Sequence, residues 1–223
     1  MQVYNRGRGE EAAVVNSTSL RPNQVAGRKG LEMSELESER SMPKCAVFLI
    51  GLPGSGKSTG AAYLEQLGFV PISAGDTIRA ICQKQGLALT RENLSTCGQR
   101  LLSEHGSAYF AELLLNKANS LEKVVFEGIR PPEVVLWLRQ RICKTLTIFV
   151  EAAERERLRR LLLARGEDEP SYRKVMAFPM EQDILQIKSL VDETVQNDAG
   201  VGKFYDDLRR AVLPLLSACN EQA

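Results

Sequence analysis

Short apolar runs alternate with amphipathic stretches along the chain from Lys44 onward. The first run, Cys45-Ala46-Val47-Phe48-Leu49-Ile50, is continuous, as expected of a strand whose two faces are both buried in a parallel sheet. Strands that alternate with helical patterns indicate a parallel sheet with crossover helices. The pattern therefore predicts an α/β fold with strands at residues 45–50, 69–72, 123–127, 144–150 and 193–196.

A long helical segment, about residues 75–121, separates the second and third predicted strands. It is longer than a crossover between parallel strands requires. Because ligands of open α/β sheets bind outside the carboxyl ends of the strands, we expect this segment to form a helical insert over that edge. Thr90 and Ser107 are predicted N-caps, and His105 is predicted at a helix end before Gly106. The apolar face of the insert comprises Ile78, Ile81, Cys82, Leu94, Cys97, Leu101, Phe110, Leu113 and Leu114.

Proline positions help to delimit the other helices. Pro131-Pro132 suits the first turn of a helix, where proline is tolerated. Pro214 falls inside the last helical pattern, so we expect it to kink that helix or to end its regular portion. The remaining helices are predicted at residues 57–67, closed by Gly68, at 152–164 and at 202–217.

The first 43 residues differ from the rest of the chain, because they mix charged, Ser, Asn and Gly residues without sustained periodicity. Residues 1–43 are therefore predicted to be a disordered N-terminal tail, and residues 44–223 to be one domain. The glutamates of the tail argue against a transit peptide. Met42 stands directly before the first strand, so a second hypothesis is that the functional chain starts there.

Composition narrows the classes of function. The 223 residues are 43% hydrophobic and 26% charged, which is ordinary for a globular domain. A formal charge of +1 provides no global attraction to nucleic acid or to an anionic membrane, so neither is expected as a partner. The sequence has no apolar stretch long enough to span a bilayer and no signal-peptide pattern. We expect a cytoplasmic protein, monomeric or homodimeric.

Cysteine and histidine offer little catalytic material. The single histidine, His105, leaves no basis for a metal cluster or a serine-histidine catalytic system. The cysteines form no Cys-x-x-Cys pair, and each lies in or beside an apolar segment, so we expect reduced core residues. They are Cys45, Cys82, Cys97, Cys143 and Cys219.

A glycine-rich segment directly follows the first predicted strand. Gly51-Leu52-Pro53-Gly54-Ser55-Gly56-Lys57-Ser58 matches the complete Gly-x4-Gly-Lys-Ser pattern and precedes a predicted helix. Successive backbone N–H groups of such a loop converge on phosphates, and the helix directs its positive end toward them. Lys57 adds a mobile charge, and Ser58 offers a hydroxyl to Mg²⁺. The segment therefore predicts binding of a nucleoside triphosphate; the alternative is a turn without a ligand.

A bound triphosphate can donate a phosphoryl group, so we looked for residues that could bind the molecule that accepts it. The first candidate group lies just after the second strand, in Gly75-Asp76-Thr77-Ile78-Arg79. Arg79 stands one helical turn beyond Asp76, and its guanidinium can bind a phosphate or carboxylate of an acceptor. The alternative is that Asp76 complements the helix dipole and that Arg79 is only its ion-pair partner.

The second candidate group is Glu127-Gly128-Ile129-Arg130, at the end of the third strand. An acid at this strand tip can hold Mg²⁺ directly or through water. Gly128 leaves the approach of the acceptor open, and Arg130 supplies a second contact to an anion. The alternative is a strand-end turn with solvated charges.

An arginine-rich stretch follows the fourth strand and leads into Gly166-Glu167-Asp168-Glu169-Pro170. Most of its arginines are expected on a solvated helix face, together with Glu154 and Glu156. Arg160 and Arg165 are predicted near the phosphates, because Arg165-Gly166 opens a polar loop that could act as a lid, about residues 165–174. A closing lid with arginines neutralises charge and excludes water.

Taken together, these motifs resemble the nucleoside monophosphate kinases among the P-loop kinases. Within that group, Gly-Asp-x-x-Arg, Thr90-Arg91-Glu92-Asn93 and Phe126-Glu127-Gly128-Ile129-Arg130 are most similar to dephospho-CoA-kinase-related and adenylate-kinase-like proteins. The resemblance covers about residues 44–217 and implies a three-layer P-loop kinase fold with a five-stranded parallel sheet, an acceptor-binding insert and a short lid. The chain departs from adenylate kinases in Glu127-Gly128, where they carry Asp-Gly, and in Met180-Glu181-Gln182-Asp183, which lacks their further arginine.

The resemblance implies ATP and Mg²⁺ as cofactors and a small phosphorylated molecule as acceptor. It implies that residues 51–59, including Thr59, bind ATP, that Ser58 and Glu127 form the metal shell, and that the segment around Asn197 lies beside the adenine. The resemblance and the chemistry of the residues together predict catalytic roles for Lys57, Asp76, Arg130, Arg160 and Arg165, and contacts to the acceptor for Asp76, Arg79, Gly128 and Arg130.

Chemistry leaves two acceptor types open. A nucleoside monophosphate attacks with an oxygen that is already largely anionic, since its second pKa is about 6. A hydroxyl, as in dephospho-CoA, needs a base, for which Asp76 is the candidate.

A GTPase switch would need an Asn-Lys-x-Asp motif, and Asn116-Lys117-Ala118-Asn119 lacks the aspartate. A polynucleotide kinase would need a basic and aromatic groove for a single strand, and the sequence shows no pattern of that kind. A nucleotide-binding regulatory module with weak ATPase activity is the main alternative.

Overall fold

The computed structural model describes residues 41–166, 169–177, 184 and 186–220. Contacts within the chain separate the units Met1–Ser38 and Glu39–Ala223, and all of the described residues belong to the second unit. The predicted disordered tail therefore lies almost wholly outside the described residues. The same holds for residues 178–183, where the sequence lacks the further arginine of adenylate kinases.

Five parallel strands form one sheet, in the order β2-β3-β1-β4-β5, and this confirms the predicted fold class. The chain leaves the central strand β1 for the edge strand β2, and then crosses back through β3 to β4 and β5. Strand ends differ from the prediction by at most one residue. The strands are β1 Cys45–Ile50, β2 Val70–Ser73, β3 Lys123–Glu127, β4 Lys144–Glu151 and β5 Glu193–Gln196.

Helices cover both faces of the sheet. Because crossovers are right-handed, the chain's change of direction at the edge strand β2 puts the helix after β1 on one face and those after β2 and β3 on the other. The described helices are α1 Lys57–Gln66, α2 Ala74–Lys84, α3 Arg91–Lys117, α4 Pro132–Arg139, α5 Glu154–Arg165, α6 Glu169–Met176 and α7 Val201–Asn220, with a 3₁₀ turn at Lys188–Leu190.

Alternate residues of β1 supply two hydrophobic cores. Ala46, Phe48 and Ile50 point to the face that α3 and α4 cover, with Phe110 and Val135. The other three residues of the strand, Cys45, Val47 and Leu49, point to the face that α1 and α7 cover, with Leu64, Phe204 and Leu208. Every residue of β1 is fully buried, which explains why its sequence is a continuous apolar run. The central strand is thus packed on both faces, which holds in place the start of the loop that follows it.

Two helices contain a residue that the sequence marked as irregular. Pro214 was expected to kink the last helix or to end its regular portion, and α7 continues past it to Asn220. In α3, Gly106 adopts φ 82° and ψ 166°, so the helix is interrupted there and then resumes. The segment α3 thus consists of two helices joined across a kink, and the predicted helix end at His105 before Gly106 is confirmed. The predicted N-cap Thr90 is confirmed, since its side chain accepts a hydrogen bond from the Asn93 N–H at 3.2 Å.

The prediction for the cysteines is right for four of the five residues. Cys45, Cys82, Cys97 and Cys219 are buried and free, whereas Cys143 is exposed, because it lies in the turn between α4 and β4. Burial raises the pKa of the Cys45 thiol to about 12 and that of Cys97 to about 11, so both remain neutral thiols. In the part of the chain that the structure describes, no helix has the length and apolar character needed to cross a bilayer.

Candidate functional site

The glycine-rich loop joins β1 to α1 in a conformation that side chains would obstruct. Gly54 has φ 78°, and a Cβ there would lie 2.6 Å from the carbonyl oxygen of Arg157. Gly56 has φ 104°, and a Cβ there would lie 2.2 Å from the Asn197 side-chain nitrogen. Both positions therefore require glycine, for backbone conformation and for space. The loop is closely packed from behind.

The amino end of α1 opens onto a large cavity. Gly56 is its N-cap and, having no side chain, makes no capping hydrogen bond. The first-turn N–H groups of a helix lack intrahelical partners, and together with the helix dipole they favour an anion. The cavity measures about 860 Å³, within the range of small-molecule sites. Its loop end, as we call this part, consists of Pro53, Gly54, Gly56, Lys57, Ser58 and Thr59.

Lys57 and Ser58 lie at the loop end with defined partners. The Lys57 ammonium donates to the Leu52 carbonyl at 3.0 Å. The Ser58 hydroxyl donates to Glu127 Oε2 at 2.9 Å. Glu127 is the last residue of β3 and pairs with Leu49 of β1, so the sheet register brings its carboxylate beside the loop. The hydroxyl and carboxylate supply the oxygen ligands that Mg²⁺ prefers when phosphates and water complete its shell, so the pair fits this ion.

Another part of the cavity lining carries arginines from three segments. Arg79 belongs to α2, Arg91 begins α3, and Arg130 follows β3. The Arg130 guanidinium donates to the Gly128 carbonyl at 3.2 Å. We call this part the arginine end; its cavity-lining residues are Ser73, Gly75, Asp76, Ile78, Arg79, Arg91, Leu94, Ser95, Gly128 and Arg130.

Asp76 and Arg79 form an ion pair at the arginine end. Their side chains are 67% and 43% exposed, respectively, so the pair is solvated. The Ser73 hydroxyl caps α2 by accepting from the Asp76 N–H at 3.2 Å, which places the carboxylate in the first helical turn. The structure thus contains the Asp76–Arg79 ion pair that the alternative interpretation of the sequence predicted. Both side chains also line the cavity, where they can contact a ligand.

Arg160 and Asn197 contact the loop from the side of α5 and β5. The Asn197 side-chain nitrogen donates to the Ser55 carbonyl at 2.8 Å, and the residue is 6% exposed. Arg160 donates to the Ser55 carbonyl at 3.3 Å, to the Gly54 carbonyl at 3.4 Å and to the Asn197 carbonyl at 2.5 Å. Arg160 also lines the cavity. The adenine contact of Asn197 stays a prediction.

Glu156 anchors two arginines of α5. It accepts from Arg159 Nη2 at 2.7 Å and from Arg160 Nε at 3.0 Å. Hydrogen bonding to Arg159, with the nearby charges of both guanidiniums, lowers the pKa of Glu156 to about 2. Sequence analysis put Glu156 on a solvated face; its position four residues before Arg160 is the helical spacing that could have indicated this contact.

Arg157 is a second residue that sequence analysis misplaced. It was expected on a solvated face, but it is only 7% exposed. Its backbone lies against Gly54, and its Nε donates to the Ala152 carbonyl at 3.2 Å. Its guanidinium lies over the ring of Tyr172, 5.7 Å from the ring centre. No local pattern distinguishes this arginine from its neighbours, because its burial depends on the loop and on α6.

The structure brings most of the predicted site residues to one cavity. Gly51, Leu52, Ser55 and Asn197 are the exceptions among the described residues, since they lie behind the loop or at its base. The side chain of Arg165 and residues 167–168 of the predicted lid are outside the described part. Arg91, Leu94 and Ser95 were not predicted as site residues. The predicted residues that line the cavity are Pro53, Gly54, Gly56, Lys57, Ser58, Thr59, Asp76, Arg79, Glu127, Gly128, Arg130 and Arg160.

Comparison with known proteins gives matches in family and fold. A family model described as AAA domain matches residues 50–175, more than half of the chain. A UPF0200 protein of Thermococcus kodakarensis is 34% identical over 130 residues, which cover 56% of this chain and 70% of that protein. A UPF0200 protein of Methanococcus maripaludis is 30% identical over 170 residues, which cover 73% of this chain and 92% of that protein.

A solved structure has a similar fold. The gluconokinase from Sinorhizobium meliloti aligns with a TM-score of 0.51 at 19% sequence identity, over 82% of this chain and 99% of that chain. At this identity the similarity concerns the fold alone.

Proposed function

Because the chain belongs to the AAA domain family and to the UPF0200 proteins, and because its fold is P-loop kinase-like, we propose that it is an ATP-dependent phosphotransferase. The proposed reaction moves the γ-phosphoryl group of ATP to a small nucleotide-like acceptor, either a nucleoside monophosphate or dephospho-CoA. Mg²⁺ is the proposed metal ion.

One observation carries the proposal: a single cavity has groups for a donor at one end and groups for an acceptor at the other. The loop end offers N–H groups, Lys57 and the Ser58–Glu127 pair. The arginine end offers the guanidiniums of Arg79 and Arg130. Because phosphoryl transfer consists mainly of positioning and charge stabilisation, these groups are the ones that the reaction needs.

Each end of the cavity has a distinct task in the proposed reaction. At the loop end, N–H groups and Lys57 bind the triphosphate, and Ser58 and Glu127 hold Mg²⁺, which neutralises phosphate charge when bound. At the arginine end, Arg79 and Arg130 orient the acceptor, with Gly128 leaving its approach open. Arg160 and Arg165 are proposed to close over the transferred group.

The two acceptor types make different demands on Asp76. A phosphate acceptor attacks with an anionic oxygen, so positioning by arginines suffices. A hydroxyl acceptor has to lose a proton, and Asp76 is the carboxylate proposed to take it. Because Arg79 contacts Oδ1 of Asp76, this role is proposed for the other oxygen of the carboxylate.

A screen of acceptors tests the proposal. The protein is incubated with Mg²⁺, γ-labelled ATP and one acceptor at a time, namely each nucleoside monophosphate, dephospho-CoA or none. We expect labelled product with at least one acceptor, and a loss of at least about 100-fold in Lys57→Ala, because Lys57 is proposed to stabilise the transferring group. Lys84→Ala, an exposed lysine at the end of α2, is the matched control and should behave as the parent.

If no labelled product forms, the release of labelled phosphate distinguishes the alternatives. Slow release of labelled phosphate that no acceptor accelerates would favour a nucleotide-binding regulatory module with weak ATPase activity. Absence of both product and phosphate release would contradict the proposed function.

A further inference from the structure

The carbonyl group of Ser55 accepts hydrogen bonds from two side chains, those of Asn197 and Arg160, and of these only Arg160 lines the cavity. Asn197 follows β5 directly, and its backbone N–H donates to the Glu151 carbonyl at 2.8 Å, which fixes it to the end of β4. From there its buried side-chain nitrogen donates to the Ser55 carbonyl at 2.8 Å. Arg160 donates to the same carbonyl at 3.3 Å.

Arg160 and Asn197 are also joined to each other. Arg160 Nη2 donates to the Asn197 carbonyl at 2.5 Å, and Arg160 Nε donates to Glu156 at 3.0 Å. Asn197, Ser55 and Arg160 thus form a closed ring of hydrogen bonds. A partly buried ring of hydrogen-bonded groups such as this one favours a single arrangement.

The geometry of the peptide unit links this ring to the cavity. The Ser55 carbonyl and the Gly56 N–H belong to one planar trans peptide, so they point in opposite directions. Because Gly56 lines the cavity and Asn197 does not, a carbonyl held on the Asn197 side chain directs the Gly56 N–H away from Asn197 and toward the cavity. An N–H group directed in this way is one of the donors that a phosphate-binding loop requires.

We propose that Asn197 and Arg160 are positioning residues that orient the Ser55–Gly56 peptide of the loop toward a bound triphosphate. The inference rests on the proposed binding of ATP by this loop. It assigns Asn197 to the triphosphate tail instead of the adenine, and it gives Arg160 a role before any lid closes.

Comparison of two ligands tests the assignment of Asn197. The affinities for Mg²⁺-ATP and for Mg²⁺-tripolyphosphate are measured by calorimetry in the parent and in Asn197→Asp, which keeps the size of the side chain but removes its N–H donors. We expect both ligands to lose affinity by the same factor, about tenfold, as for the loss of one such hydrogen bond. Asn116→Asp, the same change at an exposed position of α3, controls for the added charge and should have no effect.

Two outcomes would overturn the proposal. Loss of affinity for ATP alone, with tripolyphosphate unchanged, would place Asn197 at the adenine. Unchanged affinity for both ligands would show that the ring does not orient the loop. Arg160→Lys, which keeps the charge but cannot bridge the two carbonyls, gives a second variant with the same expectations.

A measurement on the parent covers the case in which the variants do not fold. In NMR spectra of the parent, the amide signal of Gly56 should shift on addition of Mg²⁺-tripolyphosphate. A Gly56 signal that does not shift, while other signals of the loop do, would overturn the proposal. These experiments involve no acceptor and no turnover. Failure of the parent to bind ATP would contradict the proposed function, whereas binding that the variants leave intact would contradict only the positioning role.

Discussion

The two ends of the cavity differ in how much room surrounds their glycines. At the loop end, Cβ atoms added at Gly54 and Gly56 would lie 2.6 Å and 2.2 Å from neighbouring atoms. At the arginine end, the nearest atoms to a Cβ at Gly75 and Gly128 are 3.5 Å and 3.9 Å away. The loop end is therefore rigid and sterically closed from behind, whereas the arginine end is open and consists of partly exposed side chains.

This difference matches what the two ends have to do in the proposed reaction. A triphosphate is the same in every turnover, so fixed backbone dipoles that need no rearrangement suit it. An acceptor has to enter and leave, so side chains that adjust suit it better. The loop end should respond to added volume, and the arginine end should respond to a change of charge.

The largest effect is expected from a change of charge at the arginine end. Asp76→Asn should lower the rate of transfer to a hydroxyl acceptor by about 100-fold to 10,000-fold, the usual contribution of a general base. Transfer to a phosphate acceptor should fall much less, because its attacking oxygen is already anionic. Rates are measured with γ-labelled ATP at saturating acceptor.

Asp206→Asn is the matched control for this prediction, since Asp206 is an exposed carboxylate of α7. It should leave the transfer rate unchanged with either acceptor. Full activity of Asp76→Asn on a hydroxyl acceptor would refute the role of Asp76 as a base.

A single methyl group at the loop end should have the next largest effect. Gly54→Ala places a Cβ 2.6 Å from a backbone oxygen of Arg157, so the loop has to move. We expect the affinity for Mg²⁺-ATP to fall about 100-fold, because the N–H groups then no longer converge on the phosphates. Calorimetry or a fluorescent ATP analogue measures the change.

Gly86→Ala separates strain from crowding. Gly86 also has a positive φ, 68°, but a Cβ there meets nothing within 4 Å. Both variants should lose about 1–2 kcal/mol of unfolding free energy through the left-handed backbone. Only Gly54→Ala should lose affinity for ATP. Equal losses of affinity would show that the close packing behind the loop is unimportant.

The break in α3 provides a smaller effect, on the helix whose first residue, Arg91, lines the arginine end. Gly106 combines φ 82° with ψ 166°, a conformation that is nearly restricted to glycine. Because a Cβ there meets nothing within 4 Å, Gly106→Ala tests backbone strain alone. We expect a loss of about 1–3 kcal/mol of unfolding free energy, measured by urea denaturation.

Gly202→Ala in α7 is the control for the break in α3. A Cβ at Gly202 also meets nothing within 4 Å, but its φ lies outside the positive region. This change should be neutral or stabilising, since alanine favours helices more than glycine does. A stable Gly106→Ala variant would mean that α3 can close into one straight helix.

Sequence predicted the parts of the molecule that local patterns encode. The buried run of β1 and the helical spacing of α2 fix their own structure, and the glycine motif fixes the loop. Burial of Arg157 and the turn of Asn197 toward Ser55 depend on segments about 100 residues or more away, so no local pattern encodes them. Gly106 was predicted after a helix end because glycine commonly ends helices, and it does interrupt the helix, with a second helical part following directly and continuing to Lys117.

The smallest predicted effect is a pH-dependent loss of stability at Glu156, which holds Arg160 beside the loop end. The folded-state pKa of Glu156, about 2, lies below the usual 4.5, because Arg159 and Arg160 stabilise the carboxylate. A lowered folded-state pKa contributes stability that is fully present above the unfolded pKa and is lost as the pH falls through the folded pKa. At pH 7, Glu156→Gln should therefore cost about 1 kcal/mol of unfolding free energy, as for a favourable surface ion pair. The cost should shrink between pH 4.5 and pH 2, where the parent also becomes protonated.

Glu154→Gln controls for the helix dipole, since both glutamates lie in the first turn of α5. Urea denaturation of the parent and both variants at several pH values gives the difference between the two substitutions. This difference should be largest near neutral pH and should approach zero near pH 2, because Glu156 pairs with Arg160, which contacts the loop carbonyls, and protonation of Glu156 removes the charge of that pair. A difference that stays constant with pH would mean that Glu156 acts through its shape and hydrogen-bonding geometry, and not through its charge.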